Sequence, residues 1–232
     1  MPGIKHRIRE RNVMKLKKKD VYEALGERIG RIFREYDYVY LSFSGGKDSG
    51  VLLNACVEYL RLHGGRMGVF HMDYEVQYSL TTTYVDESLA SDRDILDVYR
   101  CCVPFKVGSA ASMYQSYWRP WDPNANWVRN IPDGCFVAKD FDFYTREMWD
   151  YEFQECFAFW LRNRLGAKKV ACLVGIRTQE SFNRWRTIYR SKPGPSAEWI
   201  CPVREGIDNI YPLYDWYTTD IWTCLLYTSD AA

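Results

Sequence analysis

The chain is predicted to fold as an open, mostly parallel, twisted β-sheet with helices on both faces, a three-layer α/β architecture. Short β-prone apolar runs alternate along it with longer segments of helical spacing, the pattern that builds such sheets. One run hands over to a helix through a paired-glycine turn, Ser44-Gly45-Gly46-Lys47-Asp48-Ser49. And 232 residues, 47% of them apolar and 16% aromatic, suffice for one sizeable core but not for two comfortable ones.

The elements follow in order. Residues 1–19 form a basic arm in which, from Lys5 to Lys19, Glu10 is the one acidic residue; it either touches a nucleic acid or is a solvated terminus. The domain proper is placed at 20–224. Asp20 and Glu23 resemble a capping box, and Val21, Leu25, Ile29 and Ile32 recur at helical spacing behind it. Tyr38 to Phe43 is β-prone, and Val51, Leu52, Leu53, Ala55, Cys56, Tyr59 and Leu60 predict a helix buried against a sheet, ending at His63-Gly64-Gly65. Met67 to Met72 predicts a second buried strand, Thr82 to Ala90 a helix, and Ile95 to Val103 a third strand. Tyr114 to Pro132, rich in Trp, Pro and Asn, is expected to be an irregular loop stapled to the core by its tryptophans rather than a lid or partner surface. Phe153, Cys156, Phe157, Trp160, Leu161 and Leu165 make a helix face closed by Gly166, and Lys169 to Val174 a central strand. Asp215-Trp216 is expected to be architectural and Asp220 to open a short helix. Residues 225–232 carry no core pattern, resemble translated sequencing-adaptor read-through and are expected to be a non-native tail of a chain cut short.

The turn at 44–49 carries the chemistry. Two glycines let the backbone bring its N–H groups close to a ligand, and the helix that opens at once adds unpaired donors and its positive dipole end. Lys47 can neutralise phosphate oxygens while Ser44 and Ser49 offer hydroxyls. Asp48 beside phosphates calls for a bridging cation, which points to Mg²⁺. Because Lys47 is followed by Asp48 rather than Ser or Thr, the P-loop of kinases and GTPases is disfavoured. Ligands collect beyond the carboxyl ends of strands in such sheets, so Ser42 and Asp73 are candidates for adenosine, with capping of the next turn as the alternative role of Asp73.

Ser44 to Ser49 resembles the PP-loop of the adenine nucleotide alpha hydrolase superfamily, in its phosphoadenosine phosphosulfate (PAPS) reductase branch. Gly175-Ile176-Arg177-Thr178-Gln179-Glu180-Ser181 with Arg184, and Tyr211-Pro212-Leu213-Tyr214-Asp215-Trp216 with Asp220-Ile221-Trp222, resemble two further segments of that branch, in its order and spacing. The resemblance implies that Arg177, Glu180, Ser181 and Arg184 meet an anionic substrate, with Glu180 orienting a guanidinium, and that the substrate nucleotide is ATP or PAPS. It is closest to proteins described as PAPS sulfurtransferases, which implies a ParB-like partner. The family's C-terminal Glu-Cys-Gly-Leu-His nucleophile segment does not occur, so the catalytic residue is unassigned. Three activities stay open: a PAPS reductase-like sulfurtransferase, an ATP pyrophosphatase that adenylates a substrate, and a nucleotide sensor acting on DNA with little turnover.

Eight cysteines without any Cys-x-x-Cys predict reduced thiols and no iron–sulfur cluster. No apolar run is long enough to cross a bilayer, and a cytoplasmic location is expected.

Overall fold

The computed structural model of the protein describes residues 19–109, 111, 113–190 and 197–229. The basic arm, apart from Lys19, lies outside them.

Among the described residues six α-helices and nine strands follow one another: α1 (Val21–Glu35), β1 (Tyr38–Ser42), α2 (Lys47–His63), β2 (Met67–Met72), α3 (Ser79–Ser91), β3 (Leu96–Cys102), β4 (Val107–Gly108), β5 (Tyr117–Trp118), β6 (Phe136–Val137), α4 (Asp150–Leu165), β7 (Val170–Val174), α5 (Phe182–Arg190), β8 (Ile200–Arg204), β9 (Ile207–Ile210) and α6 (Thr218–Ser229). Seven strands form one sheet in the order β6-β3-β2-β1-β7-β9-β8. Every neighbouring pair is parallel except β8 with β9.

Local chemistry explains the element ends. Asp20 caps α1 by accepting the Glu23 amide at 2.8 Å. Gly64 closes α2 and Gly166, in the left-handed region at φ 62°, closes α4. Within the central strands alternation sends side chains to opposite faces. Val39, Leu41, Met67 and Val69 join residues of α1, α2, α3 and α6 in one core cluster, while Tyr40, Phe70 and Cys172 join α4 in the other. Both faces are therefore covered, which is why β2 is buried along its whole length.

The Trp-rich stretch is fastened as expected for a stapled loop. Trp121 is buried, its indole N–H donates to the Asp73 carbonyl at 2.7 Å, and its backbone N–H donates to Glu75 Oε2 at 2.6 Å. Trp127 packs edge-on against Trp121 at 5.5 Å. Asp215-Trp216 is architectural: Arg28 of α1 donates two hydrogen bonds to the Asp215 carboxylate, at 2.8 and 2.7 Å, and Trp216 is buried. Asp220 accepts the Tyr217 amide at 2.7 Å where α6 begins. That helix continues to Ser229, and Leu225, expected in a patternless tail, packs half-buried against the first cluster.

The two-residue strands β4, β5 and β6 are too short to carry a period, and the β8–β9 hairpin is broken by Pro202 and polar Asp208 and Asn209, so sequence patterning missed all of them. Among the described residues no helix is long and apolar enough to cross a membrane.

Candidate phosphate-binding site

The strand order runs outward from β1 in two directions, to β2 and β3 on one side and to β7 on the other. A crevice therefore opens at the carboxyl ends of β1 and β7, the position where ligands settle in doubly wound sheets. Residues 43–46 leave β1 and residues 175–181 leave β7 at this one edge, so two sequence segments more than a hundred residues apart are brought together.

Gly45 sits at φ 76°, and a Cβ there would meet Val85 Cγ2 at 2.6 Å, so the turn requires glycine. Gly46 is the N-cap of α2 and offers no side chain to the helix end. The amides of Lys47, Asp48 and Ser49 are first-turn donors with no carbonyl behind them in the helix, an arrangement that favours an external anion. Ser44 and Gly46 are exposed and Lys47 is half-buried, so the seat opens to solvent on that side, while Asp48 and Ser49 are buried. Ser49 Oγ donates to the Gly46 carbonyl at 2.9 Å and lies 3.1 Å from Ser44 Oγ, bracing the turn from inside.

The segment after β7 docks directly on this turn. Gly175 lies so close to the 48–49 peptide that a Cβ would come within 3.0 Å of the Ser49 nitrogen. Arg177, only 2% exposed, donates through Nε to Asp48 Oδ1 at 3.0 Å and through Nη1 to Thr218 Oγ1 at 3.1 Å. Asp48 Oδ2 accepts from Lys47 Nζ at 3.1 Å. Glu180 pairs with Arg184 at 3.3 Å, the orienting contact anticipated for it, and Ser181 accepts the Arg184 amide at 3.2 Å as the cap of α5. Of the four residues expected to face an anion, Arg177 is spent on Asp48 and Ser181 on the helix end.

Asp73 corrects a sequence expectation. Its carboxylate is fully buried, accepts the Glu75 amide at 2.9 Å and Arg100 Nε at 2.9 Å, and pairs with Arg129. Both oxygens are sealed inside protein, so Asp73 caps the next turn and anchors the Trp-rich loop instead of reaching adenosine. Burial pushes its carboxyl up, but the Arg129 hydrogen bond, the Glu75 amide and the two guanidinium charges outweigh that and hold it below the usual carboxylate range. Arg100 and Arg129 went unnoticed in the sequence because nothing local links them to Asp73.

Ser42 lines a cavity of about 420 Å³ between the sheet and α4, with Tyr40, Phe70 and Val174 from the strands and Tyr151 and Phe159 from the helix. Apolar walls with a few polar groups suit a flat heterocycle. Tyr40 and Ser42 share a strand face, and Tyr151, Gln154, Glu155 and Ala158 share a helix stripe, so this lining was present as periodicity in the sequence.

Mg²⁺ does not fit as a resident ion. Each Asp48 oxygen already faces a side-chain cation, and among the described residues no group of three or more His, Cys, Asp or Glu gathers to hold a metal. Six of the thiols are likewise made poorer nucleophiles: burial pushes Cys56 and Cys172 up to about 12 and raises Cys101, Cys102, Cys156 and Cys224 as well.

No protein-family model matches the chain. It is 33% identical over 210 residues to the uncharacterized protein YbdN of Escherichia coli (strain K12), a match covering 88% of this chain and 51% of YbdN. The chain thus spans about half the length of that curated relative. FMN adenylyltransferase of Candida glabrata, solved in complex with ATP, matches with a TM-score of 0.50 and 16% identity over 89% of this chain and 54% of that one. The U34-tRNA thiolase NcsA of Methanococcus maripaludis, solved with its 4Fe-4S cluster, matches with a TM-score of 0.50 and 11% identity over 90% and 63%. The chain has a three-layer α/β fold like that of the adenine nucleotide alpha hydrolases. The 44–49 turn stands in it at the crevice between β1 and β7.

Proposed function

We propose that the protein binds ATP and splits it between the α and β phosphates, adenylating an acceptor for sulfur transfer. The observation that carries this is the seat formed by the first-turn amides of α2 with Lys47, just beyond the end of β1, the strand whose Ser42 lines the cavity between the sheet and α4. The reading is of a leaving pyrophosphate held by the amides of residues 47–49, with charge that develops on it met by donors already oriented before reaction. Lys47 moves from Asp48 to a phosphate oxygen, and the base and ribose enter between the sheet and α4. The acceptor approaches the α phosphate from the open side of the crevice.

A second reading, a PAPS reductase-like sulfurtransferase, is favoured by the resemblance of residues 175–184 and 211–222 to that branch. It requires a thiolate, which the buried Cys56, Cys101, Cys102 and Cys172 are ill placed to supply, while Cys135 is partly accessible. A ParB-like partner and contact of the basic arm with nucleic acid are proposals resting on the resemblance and on charge.

Incubation with ATP and, separately, with PAPS under reducing conditions tests these readings. Pyrophosphate release from ATP is expected; sulfite release from PAPS would transfer the conclusion to the second reading, and tight binding without turnover to a sensor. Lys47→Ala is expected to weaken ATP binding by on the order of 1.5–3 kcal/mol, the worth of a charged hydrogen bond, with an unchanged far-ultraviolet circular dichroism spectrum. Unchanged affinity in calorimetry would remove Lys47 from the site.

A further inference from the structure

Asp48 looks like a metal ligand in the sequence and has a different occupation in the fold. Its Oδ1 accepts from Arg177 Nε at 3.0 Å and its Oδ2 from Lys47 Nζ at 3.1 Å. The Arg177 side chain is 2% exposed and that of Asp48 12%. A guanidinium taken so far out of water needs a carboxylate beside it, since a buried charge left alone is strongly destabilising. A divalent ion on Asp48 would instead set a third positive group against Arg177 and Lys47.

The pair also joins three segments distant in sequence. Arg177 reaches Thr218 at the start of α6 with Nη1, 3.1 Å away. Thr178 donates its amide and its hydroxyl to the Tyr214 carbonyl, at 2.9 and 2.8 Å. Gly175 rests on the Ser49 amide nitrogen, close enough that a Cβ would lie 3.0 Å from it. The 175–178 loop is thereby clamped between the 44–49 turn and the 214–218 turn.

We propose that Asp48 is a positioning residue rather than a metal ligand: its pair with Arg177 docks the 175–178 loop on the first turn of α2 and so holds the phosphate-facing amides and Lys47 in place. Lys47 is the exchangeable partner. When a phosphate draws its ammonium away, Arg177 is the cation that continues to balance Asp48, and the turn keeps its shape. The inference rests on the phosphate seat of the proposed function.

The test compares the full chain with Asp48→Asn, Arg177→Gln and the double variant, with Arg177→Met, which also removes the charge but keeps the apolar stem, in place of the glutamine variant wherever that one does not fold. In thermal unfolding without nucleotide each single change is expected to lower the midpoint, and the double change to lower it no further than the worse single, because it removes both charges together. Pyrophosphate affinity of the folded variants, titrated calorimetrically in EDTA, is expected to fall about tenfold in each single and no further in the double; a purely structural pair would leave it unmoved. Electron paramagnetic resonance of Mn²⁺ added to nucleotide-free protein is expected to show the free aquo ion with wild type and Asp48→Asn alike. Mn²⁺ bound by wild type and lost in Asp48→Asn, an affinity loss seen only with Mg²⁺ present, or additive losses in the double variant would overturn the proposal. If wild type binds neither pyrophosphate nor ATP, the phosphate seat fails, while the unfolding midpoints and the manganese spectrum still decide the role of the pair.

Discussion

Asp73 shows how far a single side chain's role depends on its surroundings. On paper it is a carboxylate at the end of a strand, well placed for a ligand; in the fold it is the centre of a buried ion network. Arg100 and Arg129 lie on β3 and on the Trp-rich loop, and Glu75, with its backbone strained at φ 63°, receives the Trp121 and Val128 amides beside them. Because the native carboxyl is held below its ordinary value, its ionised form contributes stability above the unfolded-state pKa, and that contribution is lost as pH falls through the depressed native value. Asp73→Asn is expected to cost about 3 kcal/mol at neutral pH in urea unfolding, since it leaves two guanidiniums without their common partner. The cost should shrink toward zero as the pH drops below the usual carboxylate range. A penalty that stays constant across that range would mean the charge of Asp73 is not what stabilises the loop.

The first turn of α2 works as a unit with the loop before it. Its donors are available because Gly46 caps the helix without a side chain, and they aim outward because Gly45 takes a conformation closed to most residues. Gly45→Ala combines strain at φ 76° with a clash 2.6 Å from Val85 Cγ2, where α3 crosses the turn. It is expected to lose more than about 1 kcal/mol in urea unfolding and to weaken ATP binding alongside, because relief of the clash tilts the amides off the phosphate. Loss of stability with full nucleotide affinity would separate the loop's shape from its binding role. This element was legible in advance, since two glycines between an apolar strand and an apolar helix have few other uses. Its clamp was not: Arg177 looked like an anion ligand because nothing in the local pattern around residue 177 indicates that Asp48 lies 3.0 Å away.

Taken together, the sheet protects most of the chain's reactive sulfur. Of eight cysteines, Cys56, Cys101, Cys102, Cys172 and Cys201 are buried, and Cys135, Cys156 and Cys224 are partly accessible. An aromatic disulfide reagent is expected to titrate at most three thiols in the native protein within minutes and the remaining five only on unfolding. Rapid native reaction of more than three would show that the two core clusters open readily. The arrangement follows from both faces of a parallel sheet being covered: strand cysteines have no solvent side to occupy, so burial raises Cys101, Cys102 and Cys172 regardless of the face they point to.

Local pattern was enough for the layered α/β class, for β1, β2, β3 and β7 to within a residue or so at their ends, for the helices that cover them, and for the glycine turn at 44–49 between strand and helix. Each of these rests on periodicity or on glycine conformation, which act over a few neighbouring residues. The partners of charged groups were settled only when the chain closed on itself. Asp73 found Arg100 and Arg129, and Asp48 found Arg177, across 27, 56 and 129 positions. The physical reason is that a buried charge is stabilised by whatever opposite charge the fold brings within a few ångströms, and that proximity has no signature in the order of the residues.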